Sequence, residues 1–91
     1  MTESMPRRRH SLVLPDLGLE GIRVQASVWL TPLDSNVICG DRILEVLAGE
    51  VTVDLPAPAT GRLVEQHVAE DDVLATGQLL GVIEEGEEED P

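Results

Sequence analysis

Few residues in this chain are of types that do chemistry, and their spacing decides against most of the reactions they suggest. Cys39 is the only cysteine, so an internal disulfide and a cysteine-built zinc site are both excluded. Arg42 is the only cation close to it, and the chain holds no second thiol to resolve an oxidised form. Cys39 therefore reads as a small loop residue. His10 and His67 stand far apart, and neither falls into a Ser-His-Asp arrangement or a metal-ligand spacing. Glu70-Asp71-Asp72 is acidic but lacks the glycine and terminal glutamate of a calcium loop. Glu50 follows Gly49 in a turn, where a lone exposed carboxylate has no titratable partner and no pocket to exclude water. The expectation is a protein that is not an enzyme and holds no metal.

The element that positions Glu50 runs from Ile43 to Gly61, ILEVLAGEVTVDLPAPATG. Leu44, Val46 and Ala48 point one way and Glu45 and Leu47 the other. Beyond the turn, Val51, Val53 and Leu55 share a face opposite Thr52 and Asp54. This period of two, with many β-branched residues, predicts two half-buried strands. With Gly49-Glu50 as the central pair, Ala48 faces Val51, Val46 faces Val53 and Leu44 faces Leu55, so the apolar side chains meet on one side. Glycine first in the pair is what a type II′ hairpin requires, because that position needs a positive φ.

The remaining chain repeats the theme. Ser11 to Leu14 reads as a short strand stopped by Pro15, and Asp16 to Gly21 as loop. Ile22 to Leu30 alternates through Ile22, Val24, Ala26 and Val28, then breaks, which predicts a bulge or a change of sheet near Trp29. Thr31 to Gly40 reads as a connection. Val37 matches Leu74, Gly40 matches Gly77, Ile43 matches Leu80 and Val46 matches Ile83, all at a spacing of 37 residues. Two similar halves of short strands imply a pseudo-two-fold β fold, since each half alone buries too little. The predicted core contains Leu44, Val46, Val53, Leu55, Leu80 and Val82 or Ile83.

The chain is 91 residues long, enough for one small domain. Trp29 is its only aromatic residue, so thin layers of Val, Leu, Ile and Ala must form the core. Residues 1–10 (with Arg7-Arg8-Arg9) and 85–91 lack an apolar period and are expected as disordered tails, basic and acidic, around a domain of residues 11–84. The net charge is −12, which disfavours nucleic acid and favours a protein partner with a basic surface. A lone cysteine fits the cytoplasm. No apolar run approaches the ~20 residues needed to span a bilayer, and Pro15 and Asp16 interrupt the stretch behind the arginines.

EVLAGEVTVDLPAPATG resembles the attachment hairpin of lipoyl/biotinyl domains, whose turn reads Asp-Lys, the lysine carrying the cofactor. Leu14-Pro15-Asp16-Leu17-Gly18 resembles the opening of lipoyl domains from 2-oxo acid dehydrogenase acyltransferases. Trp29, Val37, Gly40, Asp41 and Gly77 fall where that pattern wants them, and the likeness covers about residues 11–84. It implies an all-β flattened barrel or sandwich of two four-stranded antiparallel sheets with internal pseudo-two-fold symmetry, a barrel-sandwich hybrid.

The chain departs from the resemblance at its functional position. Glu50 occupies the lysine slot and Gly49 that of the aspartate. All six basic residues are arginines, at 7, 8, 9, 23, 42 and 62, and no lysine occurs in the chain. Lipoate and biotin are attached as amides of a lysine amine; a carboxylate cannot form that bond, and a guanidinium stays protonated. Neither cofactor is expected. The methionines of the biotinyl branch are missing at Gly49 and Val51. Relative to the lipoyl pattern there is one extra residue at Leu19, in the loop that in the family helps partners recognise the domain. The family's glycines are Asp34 and Asp71 here, and aspartate is among the few residues that tolerate a left-handed turn. The reading is a non-catalytic lipoyl-like interaction or scaffold module, a monomer or part of a larger complex, with Leu47, Gly49, Glu50 and Leu19 as contact candidates. Its alternative is a swinging-arm carrier modified at an atypical position.

Overall fold

The alternation expected over residues 44–55 is present in the computed structural model, which describes residues 8–86, except that Val51 beside the turn is 58% exposed. β4 (Arg42–Ala48) and β5 (Val51–Pro56) pair with Ala48 opposite Val51, Val46 opposite Val53 and Leu44 opposite Leu55. Leu44, Val46, Ala48 and Leu55 are buried, while Glu45 and Leu47 face outward and stay partly exposed. Alternation and the two-residue turn together set this register, because a slip of one residue would turn every apolar side chain to water.

The other strands are β1 (Arg9–Val13), β2 (Val24–Trp29), β3 (Asn36–Val37), β6 (Gly61–Gln66), β7 (Val73–Leu74) and β8 (Leu79–Glu84). They form two four-stranded antiparallel sheets: sheet A in the order β1-β8-β6-β3, and sheet B in the order β5-β4-β2-β7. The inner faces share one core that includes Leu12, Leu14, Ile43, Leu44, Val46, Leu55, Leu63, Leu80 and Ile83. Val82 is buried too, and Val53 packs against the core from a half-buried position.

The spacing of 37 residues governs the backbone. β2, β3 and β4 map onto β6, β7 and β8. The Asp34 N–H donates to the Leu63 carbonyl at 2.6 Å, and its counterpart, the Asp71 N–H, donates to the Ala26 carbonyl at 2.8 Å. Asp34 and Asp71 have φ of 72° and 74°, so both glycine slots are left-handed turns held by aspartate, as the sequence suggests. Trp29 bridges the halves: its indole N–H donates to the Val68 carbonyl at 2.9 Å.

Four details differ from the sequence reading. The register of β2 shifts between Ala26 and Val28, so the bulge lies at Ser27, two residues ahead of the place predicted. That extra residue turns Val28 outward and Trp29 toward the core, and the Ser27 hydroxyl donates to Glu45 at 3.0 Å. β3 lies inside the stretch read as a plain connection, too short to show a period. Ile22 is exposed rather than aligned with Val24. β1 begins at Arg9, inside the expected N-terminal tail, because Arg9 pairs with Glu84 and Glu65, a gain that hydrophobic patterning does not see. The Glu85 N–H donates to the Arg8 carbonyl at 2.8 Å. Residues 1–7 and 87–91 of the expected tails lie outside the described residues.

Candidate functional site

The two-residue turn between β4 and β5 places Gly49 and Glu50 at the end of the sandwich. Gly49 has φ of 64° and Glu50 has no positive φ, the sign pattern of a type II′ turn. Glu50 is exposed. The turn also leans on the β1–β2 loop: the Gly49 N–H donates to the Arg23 carbonyl at 3.3 Å. A Cβ at position 49 would stand 3.3 Å from Ile22 Cγ2, closer than ordinary packing allows.

That loop is held from within. Asp16 accepts the Gly18 N–H at 2.8 Å, and the Leu19 carbonyl accepts the Ile22 N–H at 3.1 Å. It carries Leu19 and Ile22, 41% and 44% exposed, beside the tip. A groove of about 410 Å³ lies under it, lined by Leu14, Leu17, Leu19, Ile22, Val24 and Leu74 among others. Of the sequence candidates, Gly49, Glu50 and Leu19 lie at this end, and Leu47 sits two residues back on the outward face of β4. Ile22 and Val51, also exposed at this end, and the exposed Val73 of β7 are not among those candidates. Val73 could have been found from the repeat, where an exposed valine corresponds to Asn36.

The other chemistry-bearing residues fall into structural roles. Cys39 is exposed, its N–H donating to the Thr60 hydroxyl at 2.8 Å. Asp72 accepts the Ala69 N–H at 2.9 Å, so the acidic cluster builds a turn. His67 Nε2 lies 2.6 Å from Glu65, and His10 Nε2 is 3.4 Å from Glu85 without hydrogen-bond geometry. Among the described residues, no group of His, Cys, Asp or Glu is placed to hold a metal ion, and no helix is long and apolar enough to cross a membrane.

A hairpin tip at one end of two pseudo-symmetric four-stranded sheets defines a lipoyl/biotinyl-attachment-like domain, and the sequence comparisons agree. The chain is 32% identical over 81 residues to the dihydrolipoyllysine-residue acetyltransferase component of the acetoin cleaving system from Pseudomonas putida, covering 89% of this chain and 22% of that protein. It is 30% identical over 73 residues to the dihydrolipoyllysine-residue succinyltransferase component of the 2-oxoglutarate dehydrogenase complex from Bartonella vinsonii subsp. berkhoffii, covering 80% of this chain and 18% of that protein. The chain thus spans about a fifth of the length of these relatives. Among solved structures, a single-chain, multi-domain long-chain acyl-CoA carboxylase superposes with a TM-score of 0.72 at 19% identity, over 97% of this chain and 8% of that one. The urea carboxylase of Kluyveromyces lactis gives 0.72 at 17% identity, over 91% and 7%. No protein-family model matches. By fold and by sequence, this chain is a lipoyl/biotinyl-attachment-like domain.

Proposed function

We propose that the domain is a non-catalytic docking module of an acyl-transfer assembly, of the 2-oxo acid dehydrogenase or a related kind, and carries no acyl arm of its own. One observation carries this reading: the attachment position at the hairpin tip is Glu50, in a chain without lysine. Attachment needs a neutral amine to attack an activated acyl carbonyl, and no side chain here supplies one. The names of the two acyltransferase relatives support the kind of assembly. The net charge of −12 supports a partner with a basic surface.

The test is the intact mass of the protein purified from its native host. The expected value is that of the unmodified chain. An added lipoyl or biotinyl mass would overturn the proposal in favour of a carrier modified at an atypical position. A second arm asks whether the lysine alone separates this domain from a carrier. Glu50→Lys, incubated with lipoate ligase, ATP and lipoate, is expected to react about 100-fold more slowly than a lipoyl domain, since a misplacement of about 1 Å costs that much. The cause is the glycine turn packed on Ile22, in place of Asp-Lys. Efficient lipoylation of the single variant would show that the surface is still a carrier's.

A further inference from the structure

The pseudo-two-fold makes each sheet a control for the other. On the outer face of sheet A, cross-strand neighbours form the row Arg9–Glu84–Arg62–Asn36. Arg9 donates to Glu84 at 3.3 Å and to Glu65 at 2.8 Å, Arg62 Nη2 stands 3.9 Å from Glu84, and Arg62 donates to Asp34 at 3.1 Å. Charged side chains on this row engage one another. The equivalent row on sheet B is Thr52–Leu47–Gln25–Val73. Each of the three charges in the sheet A row is matched by a neutral group in this row. Val73 is 58% exposed, and Val28 in β2 and Leu30 just beyond its end are 37% and 44% exposed. The fold does not need this, because the same backbone carries three charged residues in the matching row on the other side.

Acidic groups surround this neutral row, whose apolar members are Leu47 and Val73. Glu50 stands at the tip, Glu45 and Asp54 on the neighbouring register positions, and Glu70, Asp71 and Asp72 just before β7. The nearby cations are Arg42, whose Nη1 lies 3.5 Å from Asp54, and Arg23 beside the tip. A second copy would bring like-charged rims together, which opposes self-association. We propose that the outward face of sheet B, centred on Leu47 and Val73, docks a protein partner that presents an apolar ridge flanked by arginine or lysine. This rests on the docking reading above and gives it a location distinct from the tip.

The test places a photo-crosslinking residue at Thr52 or, as control, at the outward-facing Ser11 of sheet A, in the full chain. Each protein is irradiated in extract of the native host and the crosslinked peptide sequenced. The protein identified is then purified and titrated against wild type, Leu47→Glu, Val73→Ser and Ser11→Glu. The expected adduct forms from Thr52, on a peptide combining apolar with basic residues. Leu47→Glu and Val73→Ser weaken binding about tenfold or more, Ser11→Glu leaves it unchanged, and added salt weakens it. The proposal is overturned by no adduct at Thr52, by equal adducts at Ser11, by an acidic or neutral contact peptide, by crosslinking to a second copy, or by unchanged affinity in the sheet B variants. Val73→Ser alters an exposed position, so it reads out even if Leu47→Glu fails to fold. A lipoyl adduct on the native protein would sink the unmodified-domain proposal and leave these binding results standing.

Discussion

Residues 24–48 and 61–85 run the same backbone course, yet their side chains solve the same problems differently. Gly40 and Gly77 share a positive φ, of 95° and 85°. The Leu30 N–H donates to the Ile43 carbonyl as the His67 N–H does to Leu80, both at 2.8 Å. Even the side-chain bridge is duplicated: Trp29 donates to the Val68 carbonyl, and its counterpart Gln66 donates to the Thr31 carbonyl. Buried carbonyls and amides must find partners, so the hydrogen-bond scheme is kept while the donors change. Outward positions carry no such obligation. There, Leu47 has become Glu84 and Val73 corresponds to Asn36, and a difference of that kind reports something other than folding.

The largest break of this equivalence is expected at Gly61, the counterpart of Val24. A Cβ there would overlap the Glu84 carbonyl oxygen and stand 2.8 and 2.9 Å from Glu84 C and Glu85 Cα. All three are backbone atoms of β8 and its continuation, which cannot step aside singly. Gly61→Val should cost about 3 kcal/mol or more, lowering the melting temperature by roughly 12 °C or more in a domain this size. Thermal melts of Gly61→Val and of the reverse change, Val24→Gly, test it. Equal losses in the two would mean that the crowding at β8 does not decide.

Trp29 and Gln66 give the next effect. Both make the bridge, but only Trp29 also packs, its Cη2 lying 3.1 Å from where a Gly81 Cβ would be. Trp29→Gln keeps a possible donor and loses the ring, so it should cost about 3 kcal/mol. Gln66→Ala loses mainly a hydrogen bond and should cost about 1 kcal/mol. Denaturant unfolding of both variants measures the difference, and similar costs would show that the bridge, rather than the ring, is what matters at position 29.

The hairpin, its register, the repeat and the two aspartate turns were legible in the sequence, because each is a local pattern with one physical solution. The bulge was displaced because alternation reports only that a phase change occurs: it breaks at Trp29, whereas the inserted residue is Ser27. β1 starts two residues ahead of the strand that patterning marks, since Arg9 and His10 look like tail until folding brings Glu84 and Glu65 beside Arg9 and Glu85 beside His10. At the candidate site, Glu50 in the lysine slot was visible directly. Ile22 under the turn was not, because its contact with Gly49 joins a loop to a hairpin across the chain. The contrast between the outer faces needed both sheets, since only cross-strand pairing sets Leu47 beside Gln25 and Val73.

Sheet A's charged face should respond to acid where the neutral row of sheet B does not. Hydrogen bonds from His67 and then Arg9, with their charges behind them, hold the Glu65 carboxyl below the ordinary carboxylate range. A depressed folded-state value means that the ionised form supports the fold. This contribution is complete above the unfolded-state value and disappears as pH falls through the folded-state value. Glu65→Gln should therefore lower stability at neutral pH, and the gap from wild type should close as the medium is acidified below the ordinary carboxylate range. Glu65 lies on the surface, so the gap is small and shrinks with salt. An NMR titration of the Glu65 side chain with an ordinary midpoint would remove the basis for this.

The smallest effect separates the two left-handed aspartates. Both carry nearly the same φ, so glycine should relieve the same backbone cost at each, about 1 kcal/mol or less for a residue type that tolerates the region. The greater freedom of glycine in the unfolded chain takes back part of that gain. Asp71 makes no side-chain hydrogen bond or ion pair among the described residues, whereas Asp34 accepts from Arg62 at 3.1 Å. That exposed pair is worth a few tenths of a kcal/mol. Asp71→Gly should thus stabilise by about 0.5 kcal/mol, a rise of roughly 2–4 °C in melting temperature, while Asp34→Gly stays near zero. Adding Arg62→Ala to each decides the cause: the difference between the two aspartate variants should vanish in that background. If it persists, the pair with Arg62 is not what distinguishes the halves at this turn.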